Sequence, residues 1–342
     1  MVGRGSGLAE PTKLESLFMT KAMVNDTFGA ASTMKWRDVK VNNPKKGEAL
    51  IRHTAVGLNY IDIYQRTGLY PMAPGSTIGL EAAGVVEAVG KGVTVVKPGD
   101  RVAYAGGPPG AYCEARVIPA HVLVKIPDGI SDETAAAMML QGMTVEYLIR
   151  RTFKVKKGMN ILWQAAAGGV GLIAGQWLKE LGVNAIGTAG GPAKVKLAKA
   201  HGFAHVIDYN KKDFVKEVKR LTKGEGVPVV YDAVGQSTWD GSLDCLHRLG
   251  TMVSFGNASG PVQPIPPALL GAKGSIYLTR PSLMNYNVTR AELTKSANAL
   301  FKVVLSGAVK IEINQTYKLK DTAKAHRDLE GRKTTGSTIF TV

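Results

Sequence analysis

The chain has 342 residues, enough for two domains with large cores, so a small module that depends on disulfide or metal staples is excluded. Its 45% hydrophobic content excludes a disordered chain, and its two cysteines lie far apart, which excludes a disulfide framework or a cysteine-rich zinc cluster. The formal charge of +16 attracts polyanions, including nucleic acid and phosphorylated cofactors, without choosing among them.

Residues 1–20 predict a flexible leader. They are rich in Gly and Ser, carry Glu10 and Glu15, and lack the apolar core of a secretory signal. We therefore expect a cytoplasmic protein, with a mitochondrial transit peptide as the alternative. No stretch reaches the ~20 apolar residues that span a bilayer, so we expect no membrane span.

Short apolar runs broken by Gly, Pro and Asn follow, up to about residue 128. A first strand is expected near residues 21–25, and further runs lie at residues 48–56, 84–89, 100–104 and 122–127. Turn residues such as Pro98-Gly99-Asp100 separate them. This spacing predicts an antiparallel, barrel-like β domain.

The pattern changes after Ser131, which is placed to cap a helix. A second helix is expected at residues 143–151, after which strands and helices alternate strictly. Strands are predicted at residues 160–164, 184–188, 204–208, 227–233, 251–255 and 275–279, and helices at 169–181, 193–200, 213–222 and 238–249. Six apolar strands separated by crossover helices predict a doubly wound parallel sheet.

The tail returns to a mixed pattern, with helices at residues 290–306 and 322–329 and strands at 311–319 and 337–341. Because a strand at the C-terminus needs a partner sheet, we assign the tail to the first domain. The expected division is residues 1–20 as leader, 21–142 with 281–342 as one domain, and 143–280 as the parallel-sheet domain. The last parallel strand would be an exposed edge, which predicts pairing across a twofold axis in a homodimer.

The strongest local motif runs from Ile161 to Gly171. It follows a predicted strand, opens a predicted helix, and places Ala166, Gly168 and Gly171 in the glycine positions of a dinucleotide fingerprint. Gly168 would let the backbone approach a diphosphate, and Gly171 would let the helix pack on the strand. At the helix N-terminus the anion would face the backbone amide groups of five residues, Ala167, Gly168, Gly169, Val170 and Gly171.

The absence of an acidic residue at one position indicates which dinucleotide the chain prefers. NAD-binding proteins carry an Asp or Glu some twenty residues beyond the glycines, but this chain has none between Glu180 and Asp208. Lys194 stands instead near the end of the second strand, where a 2′-phosphate would meet a cation, and Tyr209 follows the third strand. The sequence therefore favours NADPH.

Six segments together resemble the quinone oxidoreductases of the zeta-crystallin type, the zinc-free branch of the medium-chain dehydrogenase/reductase superfamily. They are residues 57–62 (GLNYID), 64–68 (YQRTG), 79–84 (GLEAAG), 98–102 (PGDRV), 141–144 (QGMT) and 165–171 (AAAGGVG). The resemblance covers residues 21–342. It implies an α/β protein with a GroES-like antiparallel β-barrel catalytic domain, a Rossmann domain that binds NADPH, a cleft between them, and a homodimer.

The resemblance also implies a set of cofactor contacts. We expect two of these contact residues, Asn59 and Tyr64, to line the acceptor as well and to be the catalytic residues. Carried over by position, the contacts fall on Asn59, Tyr64, Thr144, Gly168, Gly169, Val170, Thr188, Lys194, Tyr209, Phe255, Gly256, Asn257 and Arg332.

The same resemblance speaks against a metal. Zinc-dependent relatives carry a cysteine in the region of Asn59 and a histidine at the position of Leu80, and leucine cannot bind zinc. His201 and His205 have the spacing of a helical metal pair, but Gly202 interrupts the helix, so we interpret both as surface residues.

Function is open between three hypotheses. A quinone would accept reducing equivalents from NADPH, with the Tyr64 hydroxyl either bound to the acceptor oxygen or merely packed on the cofactor. The alternative is reduction of an activated carbon–carbon double bond in an enone or alkenal. A hypothesis of another class is binding of AU-rich RNA, which the resemblance suggests, although the lysines are dispersed and not interleaved with aromatic residues.

Overall fold

The computed structural model describes residues 18–342. The predicted leader therefore lies outside the described residues up to residue 17, and the transit-peptide alternative with it. The prediction that the leader extends to residue 20 is wrong, because Phe18, Met19 and Thr20 belong to the first strand. In the described part of the chain, no helix is long and apolar enough to cross a membrane.

The first part of the fold is an antiparallel β structure. Its elements are β1 (Phe18–Asn25), β2 (Met34–Val41), β3 (Glu48–Leu58), α1 (Tyr60–Thr67), β4 (Ser76–Thr77), β5 (Glu81–Val89), β6 (Arg101–Ala105), β7 (Ala115–Pro119) and β8 (Val124–Lys125). Strands β2, β1 and β4 form a small sheet in that order, and β3, β5, β6 and β8 form the main one, with β7 also paired to β3.

The middle of the chain forms the parallel sheet. Its elements are α2 (Asp132–Tyr147), β9 (Asn160–Trp163), α3 (Gly169–Glu180), β10 (Asn184–Ala189), α4 (Pro192–Ala200), β11 (His205–Asp208), α5 (Phe214–Leu221), β12 (Val227–Asp232), α6 (Trp239–Asp244), β13 (Leu246–Ser254), α7 (Ala268–Ala272) and β14 (Tyr277–Thr279). The strand order is β11-β10-β9-β12-β13-β14, and every pair is parallel, which confirms the doubly wound prediction. The order reverses between β9 and β12, and ligands of such sheets bind beyond the strand ends at this point.

The tail adds strands to the first sheet. It contains α8 (Leu283–Tyr286), α9 (Arg290–Leu305), β15 (Ile313–Lys318), α10 (Thr322–Glu330) and β16 (Ser337–Thr341). Strand β16 runs antiparallel to β3 and parallel to β15, which places it inside the sheet. The predicted domain limits stay a prediction, and the limit at residues 142 and 143 falls inside α2.

Several predicted elements are wrong in extent. The two helices predicted after Ser131 are one continuous helix, α2, followed by a π-helical turn at Leu148–Thr152. The helix predicted at residues 238–249 ends at Asp244, since β13 already begins at Leu246. The strand predicted at residues 122–127 is reduced to β8.

Candidate active site

The turn between β9 and α3 has two kinds of glycine. A Cβ added to Gly168 would meet only the carbonyl oxygen of Ala165, at 3.4 Å, so the approach to this residue is open. A Cβ on Gly171 would lie 2.6 Å from the carbonyl oxygens of Ala165 and Ala166, closer than real contacts allow. The first turn of α3 thus packs against the strand end while its N-terminal amides stay accessible beside Gly168, and partly buried Val170 packs on the core.

The C-terminal tail closes one side of this turn. The Gly336 N–H donates to the Ala167 carbonyl oxygen at 3.3 Å, and Gly168 and Gly336 form an isolated parallel bridge. The phosphate turn of the parallel sheet therefore contacts the segment that leads into β16 of the other sheet.

Two cations and a phenol gather beyond β10. The Lys194 ammonium donates to the backbone carbonyl oxygen of Arg332 at 2.8 Å. Burial, and then the Arg332 guanidinium, lowers the pKa of Lys194. The hydroxyl of exposed Tyr209 lies over Gly190, where a Cβ would be 2.5 Å away. The carboxylate of Asp208 accepts the backbone N–H groups of Gly191 at 2.9 Å and of Asn210 at 3.1 Å.

Thr188 is turned away from the crevice. Its buried hydroxyl donates to Gln164 Oε1 at 2.5 Å, and the Gln164 amide nitrogen donates to Ser242 Oγ, which donates to buried Asp232. A contact between Thr188 and a coenzyme would therefore involve its main chain.

The loop after β13 meets helix α1 and the turn that follows it through tyrosine hydroxyls. The Asn257 N–H donates to the Tyr64 hydroxyl at 2.7 Å, and the Tyr60 hydroxyl donates to the Ala258 carbonyl oxygen at 3.0 Å. Arg280 donates to the Tyr70 hydroxyl at 3.1 Å. The Tyr64 ring lies between the other two, with centroid distances of 5.6 and 5.2 Å.

This loop also packs on the end of β9. The Phe255 ring contacts Trp163 at 5.7 Å between centroids, and a Cβ on Gly256 would lie 2.4 Å from the Ala233 carbonyl oxygen. The sequence predicts Phe255, Gly256 and Asn257 at this place, but the predicted site lacks Tyr60, Tyr70 and Arg280. The signal available for two of them was three tyrosines within eleven residues after a strand.

Asn59 lies at the start of α1 beside a buried acid that the predicted site also lacks. Its amide nitrogen donates to Glu81 Oε2 at 2.6 Å, and the Leu140 N–H donates to Glu81 Oε1 at 2.7 Å. Burial raises the pKa of Glu81 to about 8, against the lowering effect of these two hydrogen bonds. Thr144, one helical turn beyond Leu140 in α2, is buried as well.

Burial governs the hydroxyl of Tyr64 as well. It raises the pKa of Tyr64 well above its ordinary value, so the phenol stays protonated at neutral pH. Because the Tyr64 oxygen already accepts a hydrogen bond from Asn257, its own proton is available to a third group.

Comparisons with known proteins agree with this geometry. One matching family model, described as alcohol dehydrogenase GroES-like domain, covers residues 45–128, and another, described as zinc-binding dehydrogenase, covers residues 169–300. The chain is 49% identical over 324 residues to a quinone oxidoreductase of Pseudomonas aeruginosa, covering 94% of this chain and 99% of that one. It is 40% identical to a 2-haloacrylate reductase of Burkholderia, with 94% and 99% of the two chains covered. The crystal structure of Escherichia coli quinone oxidoreductase complexed with NADPH matches with a TM-score of 0.93 and 44% identity, covering 94% and 100% of the two chains.

One of these family descriptions implies zinc, and the residues of the cleft do not fit it. Leu80 is apolar, and the Asn59 amide is engaged by Glu81. Burial raises the pKa of the Cys113 and Cys245 thiols to about 12, so neither offers a thiolate. Within residues 18–342, no group of three or more His, Cys, Asp or Glu side chains could hold a metal ion.

Proposed function

The chain belongs to the quinone oxidoreductases of the medium-chain dehydrogenase/reductase superfamily, and we propose that it passes reducing equivalents from NADPH to a quinone in the cleft between its two sheets. The open approach at Gly168, at the point where the strand order reverses, carries this proposal. A diphosphate would rest on the amides from Ala167 to Gly171, and the 2′-phosphate would lie between Lys194 and Arg332.

The nicotinamide end would lie where α1 meets the loop after β13. When bound, NADPH supplies the hydride, and one proton from solvent completes the reduction of a quinone to a hydroquinone. The Tyr64 hydroxyl would donate a hydrogen bond to the acceptor oxygen as negative charge develops there. Burial raises the pKa of Tyr64 and so favours the protonated phenol, and we therefore assign the transferred proton to solvent.

The surrounding residues would position the acceptor and keep water out. Tyr60 and Tyr70 flank Tyr64, and their hydroxyls bond to Ala258 and Arg280 in the parallel-sheet part of the chain. Asn59 would offer its second amide hydrogen, since only one is used on Glu81. Thr144, Thr188, Tyr209, Phe255, Gly256 and Asn257 complete the proposed coenzyme contacts.

A second candidate reaction is reduction of an activated carbon–carbon double bond, which the similarity to a 2-haloacrylate reductase favours. The test is a stopped-flow screen of NADPH oxidation with quinones, enones and 2-haloacrylate, with NADH in parallel. We expect quinones to react fastest and NADPH to be preferred. If enones oxidise NADPH rapidly and quinones do not, the second reaction is established instead.

We also propose a homodimer that extends the parallel sheet. Strand β14 pairs only with β13 in the described residues, and two of its side chains, Tyr277 and Leu278, are 62% and 38% exposed. Sedimentation at micromolar concentration should show a dimer, and Leu278→Lys should shift it to monomer. A wild-type monomer would contradict this assembly.

A cytoplasmic location and RNA binding stay predictions. Titration of RNA with and without NADPH separates the outcomes for RNA. Competition would place RNA over the coenzyme cleft, and binding that disappears steeply with salt and has no sequence preference would reflect only the net charge.

A further inference from the structure

Asn59 has its side-chain amide held from both ends. The nitrogen donates to Glu81 Oε2 at 2.6 Å, and the oxygen accepts from Gln141 Nε2 at 3.2 Å. All three side chains are buried. If the Asn59 amide turned over, its oxygen would face the carboxyl group of Glu81 and its nitrogen would face another N–H donor.

Gln141 extends this chain of hydrogen bonds to the coenzyme helix. Its Oε1 accepts from the hydroxyl of Ser337 at 2.8 Å. The same oxygen lies against the first residue of α3, because a Cβ on Gly169 would be only 2.1 Å from it. A side chain at position 169 would therefore displace the Gln141 amide from its hydrogen bonds, whereas Gly168 remains open toward the phosphate side.

The N-terminal end of α3 favours one orientation of the Gln141 side-chain amide. Ser337 can donate or accept, so it does not by itself decide which end of the Gln141 amide faces α3. The positive end of a helix favours an oxygen, and this directs Gln141 Oε1 toward Gly169 and its nitrogen toward Asn59. Burial raises the pKa of Glu81 to about 8, so near neutral pH this carboxyl group can donate as well as accept. Glu81 alone then does not fix the Asn59 amide.

We propose that Gln141 is a positioning residue, which holds the Asn59 amide with its nitrogen toward Glu81 and couples that orientation to the first turn of α3. This inference rests on the proposed function, in which Asn59 donates its free amide hydrogen to the acceptor. Loss of Gln141 would then reduce the rate of transfer more than it reduces coenzyme binding.

The test compares two variants that both remove the Gln141–Ser337 hydrogen bond. Gln141→Met keeps the length of the side chain but also removes the donor to Asn59, whereas Ser337→Ala leaves that donor in place. We expect Gln141→Met to lower kcat for quinone reduction about tenfold, the loss of one oriented hydrogen bond, with the Kd for NADPH within about twofold. We expect Ser337→Ala to keep kcat within about twofold of the wild-type value. Gln141→Leu replaces the methionine variant if that variant does not fold.

A double-mutant cycle separates positioning from general packing. Asn59→Ser removes the amide but keeps a residue that caps α1 well. In that background, Gln141→Met should change kcat less than about twofold, because its effect passes through Asn59. The inference is overturned if Gln141→Met has wild-type kcat, or if it lowers kcat by the same factor with and without Asn59. Failure of the proposed function is a different result, namely a wild-type protein that does not oxidise NADPH with any quinone.

Discussion

The Tyr64 hydroxyl accepts a hydrogen bond from Asn257 and keeps its proton for another partner. Removing the hydroxyl in Tyr64→Phe should therefore lower kcat for quinone reduction about tenfold, which corresponds to about 1.4 kcal/mol of transition-state stabilisation. Steady-state kinetics at saturating NADPH measure this effect. Tyr317→Phe is the matched control, because its hydroxyl donates to Asp328, outside the residues of the candidate site. Unchanged turnover in Tyr64→Phe would reduce Tyr64 to a packing role.

Lys194 should decide between the two nicotinamide coenzymes. Lys194→Ala removes a cation that the 2′-phosphate would contact, so we expect the Kd for NADPH to rise about tenfold while the Kd for NADH is unchanged. Fluorescence titration with both coenzymes measures the two constants. Lys196→Ala, an exposed lysine on the same helix, should leave both unchanged. An equal loss for NADPH and NADH would contradict recognition of the 2′-phosphate by Lys194.

At the scale of elements, the turn between β9 and α3 offers a substitution that separates binding from folding. Gly168 is the N-cap of α3 with φ of −78°, and a Cβ there would make only an ordinary contact with the Ala165 carbonyl oxygen at 3.4 Å, so Gly168→Ala should lower the melting temperature by no more than a few degrees. The new methyl group would occupy the approach to the amides, and we expect the Kd for NADPH to rise about tenfold or more.

Two comparisons control that prediction. Gly271→Ala in α7, where a Cβ would meet nothing within 4 Å, should leave the Kd for NADPH unchanged and raise the melting temperature slightly, because alanine is the better helix former. Gly171→Ala should lower stability, since its Cβ would lie 2.6 Å from two carbonyl oxygens. Wild-type affinity in Gly168→Ala would mean that the diphosphate binds elsewhere.

The alternation of apolar strands and helices predicted the parallel sheet well because most of its elements are determined by local pattern. The predictions failed where contacts between residues far apart in the sequence determine where an element begins or ends. Helix α2 continues through Gly142, and a Cβ at this position would lie 2.4 Å from Leu300 of α9, so the glycine permits close packing of two helices and does not end one. Strand β13 begins early because Leu246 pairs with Val227, after which the register shifts.

The candidate site divides in the same way. The glycine turn and the lysine beyond β10 could be predicted because strand, turn and helix are adjacent in sequence. Glu81, Gln141 and Ser337 could not, since their contacts join residues 22, 82 and 196 positions apart. Nothing in a local pattern distinguishes a buried glutamate beside Asn59 from a solvated one on a strand.

At the scale of the whole molecule, four buried titratable groups give the stability a characteristic pH dependence. Burial raises the pKa of Asp62 to about 7 and that of Glu81 to about 8, and it lowers the pKa of His53 to about 4 and that of His326 to about 3. The histidines bind protons mainly in the unfolded chain, so their contribution to stability is lost as the pH falls below about 6.5. The carboxyl groups bind protons mainly in the folded chain, so their contribution is lost as the pH rises toward the values of about 7 and 8.

These opposite slopes nearly cancel between about pH 4.5 and 6.5, where the two histidines are protonated in the unfolded chain and the two carboxyl groups in the folded chain. Above that range only the carboxyl groups contribute, and we expect the free energy of unfolding to fall by about 1.4 kcal/mol per pH unit for each carboxyl group that is still protonated in the folded chain. Urea unfolding from about pH 5 to about pH 8.5 measures the curve. Glu81→Gln should flatten the fall as the pH approaches 8, the value to which burial raises the pKa of Glu81, whereas exposed Glu225→Gln should leave the curve unchanged. A stability that stays level up to about pH 8 in the wild-type protein would show that Asp62 and Glu81 are already ionised in the folded state, and the ability of Glu81 to donate toward Asn59 would then be lost as well.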